Sequence, residues 1–99
     1  MISEREKKNV DKFYDAVMSI ETKEECKAFF EDVSTIKELL DMSARLEVAS
    51  MLVKGKVFNE ISRETGASSA TISRVNKCLG YGSGGYELIL GRIMDDDIE

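Results

Sequence analysis

Ninety-nine residues, 42% hydrophobic and 33% charged, describe one soluble globular domain rather than a disordered or membrane-embedded chain. The absence of His and a pair of distant cysteines, Cys26 and Cys78, argue against a metal centre, a cofactor or a catalytic residue set. The net charge of −5 opposes the basic footprint of a nucleic-acid binder, so such a role must rest on where the charges lie.

Three helices announce themselves first. Ser3 with Glu6 has the spacing of a capping box, in which a hydroxyl and a carboxylate each satisfy an orphan N–H. Val10, Phe13, Tyr14, Val17 and Ile20 then recur at helical spacing and form one apolar stripe. Thr22 with Glu25 repeats the box before Cys26, Phe29, Phe30 and Val33. Thr35 with Glu38 repeats it again before Leu39, Leu40, Leu46, Ala49, Leu52 and Val53, and Gly55 is a natural left-handed stop. This third helix is expected to run about 28 Å. Its Leu and Met residues lie on more than one side, which suits burial against several neighbours, including a second subunit.

Phe58 to Lys77 read as two short helices joined by a tight turn. Gly66 supplies the positive φ, Ser62 is the small residue where the helices approach, and Ser68 caps the second helix. Ile61, Thr65, Ala67, Ile72 and Val75 are the inward set that fixes the angle between them. Ser69, Ala70, Thr71 and Ser73 open the second helix with short side chains, as a helix entering a major groove requires. Ser69, Ala70 and Ser73 are the candidates for base edges. Thr71, Lys77, Lys54 and Lys56 are candidates for phosphate oxygens, with Ser68 presenting N–H donors at the helix start. From Val53 to Cys78 the bases Lys54, Lys56, Arg63, Arg74 and Lys77 outnumber the acids Glu60 and Glu64 by three, while Asp95, Asp96, Asp97 and Glu99 sit elsewhere. The segment is thus a DNA-reading helix-turn-helix by composition as well as spacing.

Gly80 is expected to end that helix, and Tyr81 to Gly85 to form a flexible connection, with Tyr81 or Tyr86 available to a sugar-phosphate backbone. This Gly-rich run follows a helix and lacks Lys, unlike a nucleotide-cradling loop. A short last helix over residues 86–94 carries Leu88, Ile89, Leu90 and Ile93. No apolar run approaches the ~20 residues that cross a bilayer, and the charged N-terminus leads into no signal core. A cytoplasmic protein with buried, unpaired thiols is expected.

Several runs resemble the Trp repressor superfamily, and more closely its Trp repressor-related YerC/YecD branch. They are Arg45 to Ala49, Lys54-Gly55-Lys56, Glu60-Ile61, Glu64 to Ser68, Ala70 to Val75, Leu79 to Gly82 and Gly85-Tyr86. The resemblance implies an all-α, Trp repressor-like fold spanning residues 1–99 as one domain. Residues 1–54 would form dimerisation helices, 57–79 the helix-turn-helix and 86–94 the C-terminal helix. Two subunits would intertwine as a homodimer and bring two reading heads to successive major grooves of double-stranded DNA. The function implied is a sequence-specific transcriptional regulator, a repressor. In tryptophan-sensing members two arginines sandwich the indole, a Gly admits the ring and a Ser helps hold the amino group. Arg45 and Arg74 match those arginines, but Val75 stands at the Gly position and Cys78 at the Ser position. These four outline an effector pocket for a small molecule other than tryptophan, unless DNA binding is constitutive. An adaptor that docks the helix-turn-helix on a protein is the alternative that the acidic total charge favours.

Overall fold

A computed structural model describes residues 1–94. They form six helices and, among the described residues, no strand: α1 (Glu4–Met18), α2 (Lys23–Val33), α3 (Ile36–Val53), α4 (Phe58–Thr65), α5 (Ser69–Tyr81) and α6 (Gly85–Ile93). The fold is all-α, as its residues imply. The acidic run from Asp95 to Glu99 lies outside the described residues. The chain divides into two compact units, Met1–Ile36 and Lys37–Glu99.

In the first unit the capping box of α1 is the one the spacing predicts, and α2 keeps its Thr22 cap without the reciprocal half of the box. Ser3 N–H donates to Glu6 Oε1 at 2.7 Å and Glu6 N–H to Ser3 Oγ at 3.1 Å. This closed box holds the Glu6 carboxyl below the usual glutamate range, through the Ser3 backbone donor first and its side chain second. Thr22 Oγ1 accepts from Glu25 N–H at 3.1 Å, but the Glu25 carboxylate accepts from Glu21 N–H at 2.9 Å, one residue before the cap. Phe13 and Phe29 pack with ring centroids 5.8 Å apart, and Phe29 meets Phe30 edge-on at 5.4 Å. Even so, neither α1 nor α2 contains a buried residue. Their apolar stripe is only partly covered: Val17, Ile20, Phe29 and Phe30 are half-buried, while Val10, Phe13, Tyr14 and Val33 are exposed.

The core lies in the second unit. Val48, Ala49 and Met51 of α3 join Ile61 of α4, Ile72 and Val75 of α5, Leu90 of α6 and Met94. Only the C-terminal half of α3 takes part, so Leu40 stays exposed and Leu39 half-buried. Val48 is wholly buried, although the sequence stripe ran through Leu46, Ala49 and Leu52. A two-bond Schellman motif ends α3: Lys56 N–H donates to Met51 O and Gly55 N–H to Leu52 O, both at 3.0 Å, with Gly55 at φ +89°.

The Gly-rich run differs from expectation. Gly80 does not end the helix; α5 continues to Tyr81, and Gly82 N–H donates to Cys78 O at 2.8 Å. The connection shrinks to Gly82, Ser83 and Gly84, and α6 begins at Gly85 rather than at residue 86. Two steric demands decide this. A Cβ on Gly82 would collide with the carbonyl oxygen of Cys78, and Gly84 adopts φ +83° as the N-cap of α6. Gly80 meets neither constraint, so its small helix cost is tolerated.

Candidate nucleic-acid interface

The turn between α4 and α5 is built by short polar side chains. Gly66 sits at φ +75° and donates its N–H to Ser62 O at 2.9 Å. Thr65 Oγ1 donates to Ile61 O at 2.7 Å and accepts from Ala67 N–H at 3.0 Å. Ser62 stays exposed and donates its hydroxyl across the turn to Ala67 O at 3.3 Å, so it ties the turn instead of filling a helix contact. At the start of α4, Glu60 Oε1 accepts from Val57 N–H at 3.2 Å. Beneath the turn Ile61, Ile72 and Val75 are each at most 1% exposed, with Thr65 and Ala67 half-buried. The predicted inward set is the one that packs.

Ser68 Oγ accepts from Thr71 N–H and donates to Thr71 Oγ1, both at 3.1 Å. Its hydroxyl is therefore committed to the cap, and what Ser68 leaves at the helix start is the backbone N–H groups of the first turn. Ser69, Ala70, Ser73 and Lys77 are all exposed and share one face of α5, within an arc of about 100° at roughly 3.6 residues per turn. Thr71 turns the other way and is half-buried. Asn76, absent from the sequence candidates, lines a surface groove together with Ser73 and Lys77. Its position one turn beyond Ser73 was the signal, and its amide carries both a donor and an acceptor.

The bases separate on the same test. Lys56 is engaged with Glu64 at 3.5 Å, the side chains 38% and 44% exposed. Lys54, Lys77 and Arg74 are exposed and form no ion pair among the described residues.

Of the four effector-pocket residues, the two arginines share one groove. Arg45 and Arg74 line a groove of about 440 Å³ with Lys37, Asp41, Thr65 and Thr71. Val75 is in the core at 1% exposure. Cys78 is exposed, not buried as expected of a structural thiol, and faces a separate apolar groove of about 530 Å³ with Leu46, Tyr86 and Ile89. Val75 is in the core while Cys78, three residues further along α5, is exposed beside the Gly82–Gly84 connection. Cys26 is half-buried, and both thiols are free. Among the described residues, no helix is long and apolar enough to cross a membrane.

Two short helices, a left-handed Gly turn and a capped, small-residue second helix define a helix-turn-helix protein of all-α architecture. The chain belongs to the Trp repressor protein family, whose profile it matches over residues 8–94. It is 45% identical to the uncharacterized protein YerC of Bacillus subtilis (strain 168) over 92 residues, covering 93% of this chain and 88% of that one. The crystal structure of a TrpR-like protein from Eubacterium eligens superimposes with a TM-score of 0.82 at 44% identity, over 87% of this chain and 89% of the other. A Staphylococcus aureus relative of known structure gives 0.83 at 40% identity, over 99% and 98% of the two chains.

Proposed function

We propose that this protein is a homodimeric, cytoplasmic transcriptional regulator, a repressor, that reads double-stranded DNA through α5 and carries no catalytic activity. The observation that bears most weight is the exposed face of Ser69, Ala70, Ser73 and Lys77 on a helix whose angle is held from below by Ile61, Ile72 and Val75. Short side chains let the helix approach base edges, where hydroxyls and a methyl group discriminate. Asn76 joins them as a candidate for adenine. Lys54 and Lys77 take phosphates, Lys56 doing so at the cost of its Glu64 partner, and Thr71 is left to brace the cap. Membership of the Trp repressor family supports the same reading.

The homodimer rests on the partly covered stripe of α1 and α2, where Phe13, Tyr14, Met18 and Val33 remain exposed, and on the exposed Leu40 and Met42 of α3. A second copy would cover such apolar area, which an isolated chain of this size leaves in water. The effector is one other than tryptophan. Val75 is packed in the core and Cys78 lies on another groove, which supports a ligand other than an indole between the arginines. The groove at Arg45 and Arg74 suits a small anion instead.

Footprinting across genomic DNA tests the reading. Discrete protected sites with pseudo-twofold symmetry are expected, with affinity falling steeply as salt rises. Equal, salt-indifferent binding to every duplex, or a stoichiometric protein partner in place of DNA at about 100 mM salt, would overturn it in favour of an adaptor.

A further inference from the structure

Lys54 and Lys56 are neighbours in the chain with different surroundings. Lys54 is exposed and forms no ion pair among the described residues. Lys56 Nζ lies 3.5 Å from Glu64 Oε2, and its backbone is pinned, since its N–H donates to Met51 O at 3.0 Å. Lys56 precedes α4, and Glu64 is the last residue but one of that helix. The lysine chain therefore runs along the flank of α4 toward the Gly66 turn. Glu60 is a nearer acid, one turn before Glu64. Its Oε1 accepts from Val57 N–H at 3.2 Å and closes the start of α4, which leaves Glu64 to meet the ammonium. Among the described residues the Glu64 side chain makes only this polar contact, so its carboxylate neither caps a helix nor ties the turn. The two side chains are 38% and 44% exposed, and a pair so open to water is weak and free to exchange.

We propose that Glu64 is a specificity-determining residue: it holds Lys56 in place of a phosphate and yields it only to closely docked DNA, so that Lys56 contributes on a matched site and not on random sequence. The inference rests on the DNA-binding reading above, in which both lysines take phosphates. On a loosely held duplex the phosphates are mobile, and none displaces a carboxylate already 3.5 Å from the ammonium. Lys54 supplies the attraction there. Once α5 lies against base edges, the other contacts tether one phosphate beside Lys56 at a high effective concentration, and it takes the ammonium over. Glu64 then turns to water, which costs little because the pair is half-exposed.

The test places Glu64→Gln in wild-type and Lys56→Gln backgrounds. Anisotropy titrations use a duplex enriched from a randomised pool by repeated capture on the wild-type protein, and its scrambled counterpart. On the scrambled duplex Glu64→Gln should tighten binding about fivefold near ~50 mM salt and steepen the salt slope by about 1, the freed lysine adding one phosphate contact. On the enriched duplex the gain should stay below about twofold, because Lys56 already meets a phosphate there. In the Lys56→Gln background both changes should vanish. Without DNA, Glu64→Gln should shift the Lys56 side-chain resonances. Equal gains on the two duplexes, a full gain in the Lys56→Gln background or unmoved Lys56 resonances would overturn the proposal. Wild type and variant both failing on every duplex, with those resonances still shifting, would overturn the DNA-binding reading and leave only the ion pair standing.

Discussion

Ser68, the N-cap of α5, and Ser73 within it are both exposed serines, yet they do different work. The Ser68 hydroxyl is bound twice to Thr71, so Ser68→Ala should lower unfolding free energy by about 1 kcal/mol in urea melts. Ser73 makes no such bond, and Ser73→Ala should leave stability unchanged while relaxing sequence preference. Lys77→Ala should instead weaken all sequences alike and reduce the salt slope by about 1. Equal effects of the two on every site would remove Ser73 from the reading face. At Glu6 the sign is set by the box: a lowered carboxyl pKa stabilises α1 above the ordinary value of 4.5 and loses that contribution as pH falls through the lowered one. Titration by NMR should place Glu6 below an ordinary glutamate, and Ser3→Ala should bring it back up. The caps were legible in the sequence because they act over three residues. The partnership of Lys56 with Glu64, eight residues apart, was not, because only the meeting of the α3–α4 connection with the end of α4 brings them together.

At the scale of elements, the glycines separate local from tertiary demands. Gly66 and Gly55 stop helices through positive φ, and both stops follow from helix periodicity running out beside a Gly. Gly80 and Gly82 could not be ranked that way. Gly80 lies inside α5 with open space around its Cβ position, while Gly82 is pressed against the Cys78 carbonyl. Gly80→Ala should therefore stabilise by about 0.5–1 kcal/mol, its helix cost removed. Gly82→Ala should destabilise and loosen the α5–α6 connection. Thermal melts of the two variants moving in the same direction would contradict this account. Beneath the turn, Ile72→Ala should cost about 2–5 kcal/mol, since the residue is 1% exposed among Val48, Ile61 and Val75.

For the whole molecule, the contrast between the two units is the main physical fact. One has a core drawn from four helices, while the other has an apolar stripe and no buried residue. Phe13→Asp combined with Leu40→Asp should convert a dimer into a monomer in sedimentation at micromolar concentration and lower its melting temperature, because the apolar area it needs would be lost. A folded wild-type monomer under those conditions would defeat the dimer. On the proposed reading of the effector, millimolar tryptophan should leave the wild-type melting point where it is, since Val75 stands where the tryptophan-sensing members have Gly.

The sequence alone determined the six-helix all-α pattern, the caps, the Gly66 turn and the small-residue opening of α5, because each is written in residues three or four positions apart. Helix periodicity and capping are local physics, and local physics survives without the fold. Tertiary packing decided which of the candidates keep a free functional group. It buried Val75, exposed Cys78, paired Lys56 with Glu64, left Lys54 open and added Asn76 to the face of Ser73. Those outcomes depend on which sides of α3, α5 and α6 meet, and a linear pattern carries the spacing of a side chain but not the neighbour that claims it.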